Sequence, residues 1–152
     1  MEIKVEGKSK KYAELLKENY SGKFSDLSSF LLYKYEYVYF SKSDSSFALN
    51  MNKLANDSLV HFEIFGKLIK LLGGVPNFNN FIINDFFYLD TKTKLLEVNI
   101  RITKEKIIKY TKNLNEIEDY YIKEILKKFI IEERKNLEIL ELLQLKNKRQ
   151  LL

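Results

Sequence analysis

Four stretches of this chain repeat apolar residues at three- and four-residue steps, the period of a helix that buries one face. The first covers residues 26–40, with Phe30, Tyr33, Tyr37 and Phe40 on one stripe. The second covers 46–72, with Leu54, Ser58, His61, Phe65, Leu68 and Leu72 in register. The third covers 93–114 through Leu96, Ile100, Thr103, Ile107 and Tyr110, and the fourth covers 119–145 through Ile122, Leu126, Phe129, Glu133, Asn136 and Leu140. A shorter piece at 10–19 also reads as a helix, ending at Tyr20-Ser21-Gly22. Five glycines and one proline in 152 residues leave little material for a many-turned β fold.

The breaks fall where the chemistry of helix ends demands them. The polar run Ser41-Lys42-Ser43-Asp44-Ser45-Ser46 supplies turn and N-cap residues between the first two helices. Gly73-Gly74-Val75-Pro76 stops the second, because glycine serves as a C-cap and proline forbids continuation. The connection from 77 to 92 is long and rich in Asn and aromatic residues (Phe78, Phe81, Phe86, Phe87, Tyr88). It is too apolar for a free linker and is expected to pack along the bundle as a crossover. A single domain over 1–152 is expected, all-α, with two helical pairs joined by one long crossover.

Composition removes several functions. There is no cysteine, which excludes disulfides, zinc-thiolate sites and thiol nucleophiles. His61 is the one histidine, so no site can draw two imidazoles from one chain. The net charge of +5 is spread over faces that alternate Lys with Glu; Lys146-Asn147-Lys148-Arg149 is the clearest basic cluster. Nucleic acid is therefore not expected as a partner, and a module whose basic tail meets an acidic partner is a weaker reading. The start, Met1 to Lys8, lacks the apolar core of an export signal, and no apolar run nears the roughly 18–20 residues of a membrane span. A cytoplasmic protein without a membrane role is expected.

Particular residues carry a family resemblance over nearly the whole chain. Leu54-Ala55-Asn56-Asp57-Ser58-Leu59-Val60-His61-Phe62-Glu63-Ile64-Phe65-Gly66, running to Leu71-Leu72-Gly73-Gly74-Val75-Pro76, resembles the second bundle helix of ferritin-like proteins. Lys4 to Lys8 with Tyr12-Ala13, Tyr20-Ser21-Gly22 and Ser25-Asp26-Leu27 is similar to the front of such chains. Leu96 to Tyr110 resembles the third helix, and Ile130-Ile131-Glu132-Glu133 through Leu137-Glu138-Ile139 the fourth. The resemblance is nearest to small rubrerythrin-related proteins of anaerobic, spore-forming bacteria, which is the whole basis for expecting spore association. It implies a ferritin-like four-helix bundle with a short N-terminal helix.

That family holds two metal ions with one Glu from each of two helices and a Glu-x-x-His from each of the other two. Carried onto this chain, the resemblance puts Asp26 at the first position, Ser58-x-x-His61 at the second, Thr103 at the third and Glu133-x-x-Asn136 at the fourth. Asp26, His61 and Glu133 survive as candidate metal ligands, clustered on one half of the family's site. Glu105 does not replace Thr103, because two residues along a helix turn it about 200° away. Losing carboxylates that would neutralise buried ions weighs against a dinuclear centre.

Besides a working dinuclear site, two readings of the three survivors follow. They form a metal-free polar network with Ser58, Thr103 and Asn136, or they hold one Fe or Mn ion with water. The first, with no cofactor, leads to a non-catalytic ferritin-like protein with a degenerate di-iron site, structural or self-assembling. The second leads to an oxidoreductase or storage protein that uses a mononuclear half-site. A homo-oligomer is expected by analogy with ferritin-like bundles. Two faces suit such contacts: Tyr35 and Tyr39 on the first helix, and Leu142, Leu143 and Leu145 near the chain end. The alternatives are that the crossover covers the tyrosines and that the N-terminal helix wraps the leucines.

Overall fold

The computed structural model describes residues 2–81 and 89–152. Their regular structure is five helices: α1 (Lys10–Ser21), α2 (Asp26–Phe40), α3 (Ser45–Leu71), α4 (Lys92–Glu116) and α5 (Tyr120–Leu151). Each begins on a side chain that accepts backbone amides left over in its first turn: Ser9, Ser25, Asp44, Thr91 and Asp119. Gly73 follows the end of α3, and its φ of +93° lets its amide and that of Gly74 fold back onto the carbonyls of Lys70 and Ile69.

The first bundle helix is interrupted. Ala13, Leu16 and Tyr20 of α1 pack with Phe65, Leu68, Ile69 and Leu72 near the end of α3. Leu32, Tyr33 and Phe40 of α2 pack with Phe47, Ala48, Met51 and Leu54 near its beginning. The two pieces thus follow one another along α3 in the opposite direction, with the break at residues 22–25. Gly66 of α3 lies where α1 approaches closely: a Cβ there would meet a Tyr20 ring carbon at 2.9 Å.

Those two groups are the ends of the bundle. Tyr110 of α4, Ile117 just after it, and Ile122, Ile125, Leu126 and Phe129 of α5 join the end that holds α1. Leu95, Leu96, Ile100 and Ile102 of α4, and Leu140 of α5, join the end that holds α2. α3 and α4 therefore run the same way, and the chain must travel back the length of the bundle between them. That is why a long crossover separates two short-looped helical pairs. Phe78 stacks on Tyr20 at the near end, and the Tyr35 hydroxyl donates to the Leu89 carbonyl at 2.8 Å at the far end. Phe86, Phe87 and Tyr88 lie outside the described residues.

Two expectations change. The last helix continues to Leu151 rather than ending at 145. The sequence there contains no breaker, and Asn147 donates to Thr93 Oγ1 at 3.0 Å, which ties the last turns to the start of α4. The N-terminal helix does not wrap the C-terminal leucines, because α1 packs at the other end of the bundle; Leu142 and Leu145 stay exposed. Tyr35, in contrast, is engaged with the crossover, while Tyr39 is half exposed.

Candidate functional site

Between the two apolar ends lies a buried polar layer. α2 contributes Asp26, α3 contributes Ser58 and His61, α4 contributes Thr103, Lys106 and Tyr110, and α5 contributes Glu133 and Asn136; all are buried. The break in the first helix decides where Asp26 sits. Ser25 caps α2, so Asp26 occupies its first turn, where the free amides and the helix dipole favour a negative charge.

Asp26, His61 and Glu133 come together as the sequence suggests, with one ligand-type atom each inside a 4.8 Å cluster. His61 Nδ1 lies 3.2 Å from Glu133 Oε1 and 3.6 Å from Asp26 Oδ1. Its Nε2 faces outward and meets Glu132 Oε2 at 2.6 Å. The His61 ring stacks on Phe129 at 3.8 Å, and Phe65 and Tyr110 complete an aromatic floor that separates the site from one apolar end.

The sequence reading lacked the fourth member. Lys106 Nζ lies 2.8 Å from Asp26 Oδ1 and 2.8 Å from Glu133 Oε1, and its side chain is 2% exposed. The Tyr110 hydroxyl donates to the other Asp26 oxygen at 2.5 Å. A signal for both was present: Lys106 is three residues beyond Thr103 and four before Tyr110, and so falls on the inward face. A lysine is ordinarily assigned to solvent, because an unpaired ammonium is costly to bury. Here two carboxylates face it. Glu105, by contrast, is only partly buried and is not in the cluster.

The four groups hold one another charged. Burial alone would raise the Asp26 and Glu133 carboxyls, but the Lys106 ammonium and the His61 ring hold both below the ordinary range. Burial opposes the charge on Lys106 and His61, and the surrounding carboxylates more than reverse it, so both are raised. Two carboxylates, an ammonium and an imidazolium sum to zero. This balance matters in a low-dielectric core, where removing one member of a buried pair typically costs about 3–5 kcal/mol.

One cleft reaches the edge of the layer. A cleft of about 340 Å³ between α3 and α5 is lined by Asp57, Val60, His61, Glu132, Lys135 and Asn136, among others. It reaches the outer edge of His61, where Glu132 is 37% exposed, and the inner carboxylates lie behind the ring.

A second buried carboxyl lies farther along α2. Glu36 is 0% exposed; Asn99 donates to its Oε1 at 2.7 Å, and the same nitrogen lies 3.8 Å from Met51 sulfur. Its Oε2 has no hydrogen-bond partner among the described residues. Burial drives its pKa up to about 8 while Asn99 pulls weakly the other way, so Glu36 is protonated at neutral pH. Sequence reasoning passed over it amid the tyrosine run, although it shares a face with Leu32, Tyr33 and Phe40.

Dinuclear metal centres are the usual content of this layer in ferritin-like bundles, and the residues here do not fit one. Ser58, Thr103 and Asn136, which the resemblance puts at three of that family's ligand positions, lie buried in the layer and offer neither a carboxylate nor an imidazole. A single ion on Asp26, His61 and Glu133 would need about 2.1 Å to each carboxylate oxygen. The ammonium of Lys106 already bridges those two oxygens, and two cations cannot share that space.

No family model and no curated relative matches the chain. Solved structures do match in fold. A bacterioferritin from Rhodobacter capsulatus, described with a metal-free dinuclear site and haem iron, superposes with a TM-score of 0.82 at 17% identity, covering 93% of this chain and 88% of its own. A Desulfovibrio desulfuricans bacterioferritin with a diiron site gives 0.79 at 22% identity, over 91% and 81%. A manganese catalase from Anabaena gives 0.75 at 15% identity, over 92% and 74%. No helix among the described residues is long and apolar enough to cross a membrane. The chain has the ferritin-like four-helix-bundle fold of these metal-binding proteins.

Proposed function

We propose that this chain is a non-catalytic ferritin-like protein, structural or self-assembling, whose central site is closed by its own lysine. The observation that carries this reading is the ammonium of Lys106 seated between Asp26 and Glu133 at 2.8 Å from each. Redox chemistry of the ferritin-like kind needs ions that change valence at that place, and a lysine offers none. With Ser58, Thr103 and Asn136 at the remaining positions, the layer works as an internal polar network that fixes the register of four helices. Self-association is the companion proposal. Exposed apolar side chains such as Val38, Leu49, Leu142 and Leu145 are the surfaces it would use. The rival reading, one Fe or Mn ion on Asp26, His61 and Glu133 in an oxidoreductase or storage protein, draws on their clustering.

Metal content after anaerobic loading with Fe(II) and Mn(II) separates the two. A ratio near zero per chain is the expected result. A ratio near one, lost in His61→Ala while the fold persists, would replace this reading with the rival.

A further inference from the structure

We infer that Lys106 is a tethered stand-in for a metal ion, and that Asp26, His61 and Glu133 remain a latent mononuclear divalent-metal site that opens when its ammonium is removed. This rests on the reading above in one respect: the intact chain excludes metal because the lysine is there.

Three observations support the latent site. The first is donor spacing. Two ligands each about 2.1 Å from one ion stand about 3.4 Å apart at a tetrahedral angle. His61 Nδ1 stands 3.2 Å from Glu133 Oε1 and 3.6 Å from Asp26 Oδ1. The second is the outer partner of the histidine. A metal-bound imidazole characteristically donates its other N–H to a carboxylate, which fixes the ring and raises its basicity. His61 meets Glu132 at 2.6 Å through Nε2 while Nδ1 faces the inner carboxylates. That is the arrangement a ligand histidine commonly has. The third is charge. A divalent ion that replaces both the ammonium and the Nδ1 proton leaves the inner cluster neutral, as it is now. The donor set of one imidazole and two carboxylates suits Zn(II), Co(II), Mn(II) or Fe(II), with water completing the shell.

The test uses the full chain with Co(II) as probe, followed by its visible d–d absorption and by isothermal titration. Lys106→Ala is expected to bind one Co(II) per chain, at least about 100-fold more tightly than the intact protein. Its Tm should rise by about 5–10 °C in excess Co(II). The double variant Lys106→Ala/His61→Ala should show neither effect. If Lys106→Ala is unfolded alone, refolding is repeated with Co(II) present; metal-dependent folding supports the inference, and a chain still unfolded overturns it. A folded Lys106→Ala that binds no Co(II) also overturns it. Binding by the intact protein equal to that of the variant would instead refute exclusion by Lys106, and with it the non-catalytic reading.

Discussion

Glu36 allows the energetics of the core to be tested without touching the central cluster. Its carboxyl is held at about 8 against an ordinary value of 4.5, with burial as the cause. A raised acid binds its proton more tightly in the folded chain than in the unfolded one. Stability from this group is therefore complete below about pH 4.5, falls as pH rises, and levels off once pH passes about 8. Each pH unit of that interval corresponds to about 1.4 kcal/mol, so a rigid, dry site would lose roughly 5 kcal/mol across it. Water entry and local opening limit the penalty, and a loss of about 2–4 kcal/mol is the reasonable expectation. Glu36→Gln keeps the shape and the contact with Asn99 but cannot ionise. Urea unfolding followed by circular dichroism from pH 5 to 9 measures both proteins. The groups that titrate around Lys106 are common to both, so the difference between the two curves isolates Glu36. The difference should be under about 1 kcal/mol at pH 5, just past the onset, and should favour the Gln variant increasingly up to pH 8. Parallel curves would refute the reasoning, since they would mean that Glu36 carries its charge at no cost.

Two further substitutions examine the polar layer and the helix ends. Tyr110→Phe removes the hydroxyl that donates to Asp26 Oδ2 and leaves a buried carboxylate oxygen short of a partner. A loss of about 1.5–3 kcal/mol in denaturant unfolding is expected, with little change in helix content. Asp119→Ala removes the N-cap of α5, which accepts from the amides of Tyr121 and Ile122, and also the acceptor for the Glu6 amide at 2.7 Å. About 1–2 kcal/mol should be lost, and amide hydrogen exchange should speed up at Glu6 as the N-terminal segment loosens.

Helices are local objects, and the sequence determined them: the apolar period, the capping residues Ser9, Asp44, Thr91 and Asp119, and the glycines after α3 mark their ends because those effects act within one turn. The inward stripe of α3, from Leu54 through Ser58 and His61 to Leu72, is buried as its spacing requires. The meeting of Asp26, His61 and Glu133 was legible only through the resemblance: His61 and Glu133 lie on inward stripes, and the family pattern is what places Asp26 beside them. Tertiary structure alone decided the charge of the layer. Whether Lys106 reaches solvent or the core depends on two carboxylates from α2 and α5, far away in the sequence, and no local rule sees them. Glu36 is the converse case: burial raises its carboxyl because the described residues around it offer one amide and a thioether and no ion pair, a fact visible only once α2, α3 and α4 are packed together.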